Sequence, residues 1–111
     1  PPVATERWGV SPLNLKELIE FDDQRYVSKM VHDSEKVRVV LFCLKEGQEV
    51  LPHTSTSELV LFVAAGRGKA VLGESQLDIE RNSVVVCPPE VPHGFKAEED
   101  LVVLAVIAPR P

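Results

Sequence analysis

A chain of 111 residues has the length of one domain, and its 44% hydrophobic and 26% charged residues suit a packed core rather than disorder. Seventeen acids against twelve bases give a net charge of −5 with no basic stripe, and only 5% of residues are aromatic. That balance argues against nucleic acid and against an anionic membrane surface as partners.

The first twelve residues carry Pro1, Pro2, Pro12 and Gly9 without periodicity, so they read as an irregular arm with Trp8 as a pin. Asn14 followed by Glu17 fits a helix N-cap, and Leu15, Leu18 and Ile19 form an i, i+3, i+4 stripe, which predicts a short helix over 14–21. From Arg25 the pattern turns to strands. Tyr26–His32 and Val37–Leu44 flank the polar turn Asp33–Lys36, and Glu46-Gly47 is a second turn. Glu49–His53 is a short extended piece, Glu58–Ala65 a strong strand, and Gly66-Arg-Gly68 a break. Lys69–Leu72 and Gln76–Glu80 form a hairpin about Gly73-Glu-Ser75, Ser83–Cys87 runs into Pro88-Pro89, and Phe95–Ala97 and Leu101–Ala108 close the series. Short strands at such spacing, with no repeat, predict an all-β antiparallel barrel or sandwich with one short N-terminal helix. The arm and helix occupy residues 1–24 and the barrel residues 25–109.

The longest apolar runs, Val37–Leu44 (broken by Arg38) and Leu59–Ala65, are far short of a bilayer span. The opening residues show no basic segment followed by an apolar one, so a cytoplasmic protein is expected. Cys43 and Cys87 form no CxxC pair and are expected as buried, reduced thiols, which excludes a zinc knuckle. Gly66-Arg-Gly68 lacks the third glycine of a dinucleotide loop, and there is no phosphate-loop lysine and no GxSxG elbow. Tyr26 reads as core and His32 as a surface strand end.

Two stretches carry the functional signal. In the first, Gly47 precedes His53 by five intervening residues, and a strand then runs to Gly66; in the second, Pro88 is followed at a fixed interval by His93. Together they resemble the two motifs of the cupin family, over about residues 25–109. The resemblance implies a double-stranded β-helix barrel whose lumen holds His53 and His93. It also implies a divalent metal (zinc, manganese, iron or nickel) in members with a full ligand set. This chain departs from the pattern. Ser55 stands where the family has a second histidine, the family glutamate falls on Leu59, Arg81 replaces a glycine, and Glu90 replaces the turn glycine. Strand alternation points Glu58 away from the missing carboxylate's place. Of four usual ligands only His53 and His93 survive, to be completed by water, by Glu58 after a bulge, or by Cys43 or Cys87.

The expectation is therefore a small-molecule-binding protein with a lumen site at His53, Ser55 and His93 and with weak or absent metal binding. A metal-dependent dioxygenase or isomerase using the two histidines is the alternative, and a structural or regulatory dimer a second one. A homodimer is expected because the apolar strand Leu101–Ala108 and the arm offer a sheet edge for strand addition.

Overall fold

The computed structural model describes residues 12–111; the predicted arm, Trp8 included, lies outside the described residues apart from Pro12. Among the described residues nine strands follow a helix, α1 (Leu15–Leu18): β1 (Val27–Asp33), β2 (Arg38–Leu44), β3 (Glu49–His53), β4 (Glu58–Ala65), β5 (Arg67–Leu72), β6 (Ser75–Glu80), β7 (Val84–Cys87), β8 (His93–Ala97) and β9 (Leu101–Ala108). They form a five-stranded sheet in the order β1-β2-β9-β4-β7 and a four-stranded sheet in the order β3-β8-β5-β6. All the strand pairs are antiparallel. No helix among the described residues is long and apolar enough to cross a membrane.

Alternation along the strands assigns the faces. In β9, Leu101, Val103 and Ala105 enter the core between the sheets, together with Leu44 of β2, Leu61 and Val63 of β4, and Phe95 and Ala97 of β8. The intervening Val102, with Leu41 and Cys43 of β2, points to the outer face, where Leu15, Leu18, Ile19 and Phe21 cover it. Strand β9 is thus apolar because both of its faces are covered. It lies in the middle of its sheet rather than at an edge, which removes the edge argument for a dimer.

The helix is shorter than 14–21. Asn14 Oδ1 accepts the Lys16 N–H at 3.0 Å, but Ile19 is already extended, with ψ 125°. Alternation from Ile19 to Phe21 then lays both side chains on the same outer cluster, which a continued helix would not do. The break at 66–68 is one residue long, since β5 begins at Arg67. Gly66 has φ +81°, and a Cβ there would lie 1.9 Å from the Asp100 carbonyl oxygen, so only glycine fits. Tyr26 is exposed rather than core: it precedes edge strand β1, and its ring lies 5.9 Å from that of Phe42. His32 is exposed. The outer face also leaves Val60, Val84 and Val86 exposed.

Candidate functional site

Strand β8 begins two residues earlier than the sequence pattern predicts, at His93, so this side chain is held by the sheet rather than by a preceding loop. It shares a face with Phe95 and Ala97, and all three are buried. On β3, Val50 faces Phe95 and His53 faces His93, so three residue steps on one strand match two on the other. The extra residue is a bulge at Leu51-Pro52, where proline has no N–H to give the ladder. Without it His53 would face away from Val50; with it both histidines face the same lumen. Gly94 makes the approach possible, because a Cβ there would sit 2.6 Å from the Val50 carbonyl oxygen and 2.9 Å from Pro52 N.

The imidazole centroids are 4.5 Å apart and the rings are inclined at 61°. Each ring is tethered in the same way. Nδ1 of His53 lies 3.2 Å from the Leu51 carbonyl oxygen, and Nδ1 of His93 lies 3.1 Å from that of Val91. A carbonyl only accepts, so Nδ1 carries the proton and donates, which leaves Nε2 as the free acceptor on each neutral ring. The surroundings differ sharply: His53 is exposed, whereas His93 is 3% exposed and its buried Nε2 has no protein partner among the described residues. Burial pushes the His93 pKa below its ordinary value; the Val91 carbonyl opposes that shift and the neighbouring His53 adds to it.

Both histidines line an open cavity of about 830 Å³ whose walls include Met30, Arg38, Val40, Phe42, Leu59 and Ile107. Leu59, at the position of the family glutamate, faces in, and Glu58 is exposed on the outer side, as alternation requires. The bulge in β4 falls between Val63 and Ala65, too late to turn Glu58 inward. Cys43 cannot complete a ligand set either, because it lies beneath the α1 segment on the opposite face of the sheet. Cys87 is packed in the core beside Leu59 rather than in the cavity wall. Burial raises the pKa of both thiols, which keeps them protonated.

Ser55 lines the cavity, but its Oγ accepts the Ser57 N–H at 3.0 Å and its carbonyl accepts the Glu90 N–H at 2.8 Å. Its clearest role is therefore to tie the two histidine-bearing segments together, with only its O–H left to donate. Glu90 has φ +68°, the left-handed region the family's glycine occupies without strain. It lines the cavity despite that cost. Two wall residues escaped the sequence reading. Glu90 was visible as a carboxylate in a glycine's place. Arg38 was visible as the one charge interrupting an apolar strand, in step with the inward Val40 and Phe42.

The sequence profile of the cupin domain matches residues 40–107, which is more than half of the chain. The chain belongs to the cupin family. An RmlC-like cupin protein from Desulfovibrio desulfuricans is 40% identical with a TM-score of 0.84, over 90% of this chain and 97% of that one. A Thermus thermophilus protein, TT1209, is 26% identical with a TM-score of 0.86, over 90% and 98% of the two chains. KdgF from Halomonas sp., 20% identical with a TM-score of 0.75 over 86% and 92%, shares the fold. No curated protein sequence matches the chain. The fold is thus the all-β double-stranded β-helix of a small cupin. The metal that many cupins hold needs three or four protein ligands for tight binding. In this cupin, no three His, Cys, Asp or Glu side chains among the described residues are grouped to hold an ion. Two imidazoles beside a leucine do not fit a resident metal.

Proposed function

We propose that this cupin binds a small molecule in the cavity around His53 and His93, and that it holds divalent metal weakly or not at all. The carrying observation is His93 Nε2, a buried acceptor on a cavity-lining residue, without a protein partner among the described residues. Leaving such an atom unpaired costs roughly 1–3 kcal/mol, and a ligand bearing an N–H or O–H donor offsets that cost on binding. The cavity volume of about 830 Å³ falls in the range of small-molecule sites, and most of its wall is hydrocarbon with a few polar groups. The site then works by shape and by two fixed acceptors: the Nδ1 tethers hold both rings at one tautomer and orientation, so little order is lost on binding.

The test is a small-molecule screen followed by NMR of the imidazole and Met30 methyl signals, with zinc and manganese titrations in parallel. Binders that shift the His93 and Met30 signals, with no metal retained through dialysis, are the expected result. A stoichiometric metal that copurifies with the wild type and is lost in His53→Ala and His93→Ala would replace this reading with the metal-dependent one.

A further inference from the structure

The registers place Asp33, Arg38, Ile107 and Leu59 in one row across the inner face of the five-stranded sheet, at the mouth of the cavity. Two cations meet one carboxylate there. Arg110 takes both oxygens of Asp33, with Nε donating to Oδ1 at 2.6 Å and Nη2 to Oδ2 at 3.0 Å. Arg38 reaches only Oδ1, through Nε at 3.3 Å, the longer bond to an oxygen already shared. Among the described residues no other carboxylate forms an ion pair with Arg38. Its terminal nitrogens therefore remain available, on a side chain that is itself part of the cavity wall. The guanidinium is held at one edge by Asp33, and its side chain is one-quarter exposed. A planar, positioned fork of this kind matches a carboxylate in two-point contact. The other wall charge, Glu90, stands in the turn joined to Ser55, on the histidine side. Beyond Arg38 most of the wall is hydrocarbon, from Met30, Val40, Phe42 and Ile107, with the hydroxyls of Ser28, Thr54 and Thr56 among it.

We propose that the ligand class of this cupin is a small carboxylic acid with an apolar body. Its carboxylate sits on Arg38, its body lies against Met30, Val40 and Ile107, and a donor at its far end meets His93 Nε2. The proposal rests on the small-molecule reading above and adds the ligand's charge and orientation to it.

The experiment uses the whole chain and a panel of alkyl and aryl carboxylates, each paired with its uncharged amide, with NMR following Met30, His93 and the Arg38 Nε–H. At least one carboxylate should bind roughly tenfold to a hundredfold more tightly than its amide, the range of a hydrogen bond to a charged group. Arg38→Met should remove that preference while the amide's own affinity holds, and Arg38→Lys should keep part of it. Equal affinity of acid and amide throughout, unchanged in Arg38→Met, would overturn the carboxylate assignment and leave the cavity as a binding site. Failure of every member to shift Met30 and His93 would overturn both readings. The acid–amide comparison on the wild type decides the matter even if Arg38→Met does not fold.

Discussion

The space between the two sheets has two ends built on opposite terms. At the sealed end Leu44, Val63, Leu101 and Val103 are each 0% exposed, and among the described residues no charged side chain is buried with them. At the open end the same strands carry Arg38, Leu59 and Ile107, and β8 carries a buried histidine in place of a hydrocarbon. The contrast separates stability from specificity. Dispersion and hydrophobic burial are satisfied at the closed end regardless of the ligand. The open end leaves a buried nitrogen without a partner and a half-paired guanidinium among the described residues. A fold held together at one end leaves the other free to change its chemistry, which is how one barrel serves many ligands.

The largest effect belongs to the sealed end. Leu101→Ala should lower the unfolding free energy by about 2–5 kcal/mol, the range for a fully buried leucine. Chemical denaturation measures it, and the imidazole signals of the folded variant should stay where they are in the wild type. If the histidine pair shifted as much as the stability, the two ends would not be separable. Next comes Gly94→Ala, which tests the approach of β3 to β8. The added methyl meets backbone atoms of Val50 and Pro52 rather than a side chain that can rotate away. A loss of about 1–3 kcal/mol is expected, together with a weaker contact between the His53 and His93 rings in NMR cross-relaxation.

His93→Leu should move stability little, or raise it, because a buried unpaired nitrogen gives way to hydrocarbon, while cavity binding falls. The same change tests the pH dependence. The unfolded chain takes up the His93 proton near the ordinary value of 6.5, and the folded chain takes it up lower because burial disfavours the imidazolium. The unfolded state thus binds more protons in that interval, so stability falls as the pH drops below about 6.5. In His93→Leu that part of the slope should be absent; an unchanged slope would mean that His93 is not as desolvated as its 3% exposure implies. The smallest effect is expected from Arg110→Ala at the rim. The hydrogen bond from Arg110 is the main reason the Asp33 pKa is held at about 2. The stability it contributes is present above the ordinary 3.8 and lost as the pH falls toward 2, so the variant should lose less across that interval. A carboxyl titration by NMR should show the Asp33 pKa moving back up. Freed from Arg110, Asp33 should also draw Arg38 closer and weaken carboxylate binding; unchanged binding would separate the two arginines.

Much of the barrel was legible in the residues because strand signals are local. β-branched runs, alternating faces and turn residues at Asp33–Lys36 and Gly73-Glu-Ser75 mark strands without reference to the rest of the chain. The inward and outward choice between Leu59 and Glu58 followed from alternation in the same way. Alternation alone does not assign a face across a bulge. His53 lies an odd number of steps from Val50 yet shares its face, because an extra residue at Leu51-Pro52 shifts the register. Proline hinted at that break, but only the partner strand fixed its size. The helix was overextended because Ile19 suits a helical stripe as well as the alternating one it adopts.

Residue type and spacing were enough for the strands and the start of the short helix, which are local properties of the chain, and it was the resemblance to the cupin motifs that singled out the two histidines. Three features needed the folded arrangement: which of two identically tethered imidazoles is buried, that β9 is central and not an edge, and that Asp33 is shared between Arg110, which takes both of its oxygens, and Arg38, which takes one. The reason is physical. Burial and charge pairing depend on groups brought together from distant positions, such as Asp33 with Arg110 or Gly94 with Val50, and no local pattern records which of several possible partners arrives.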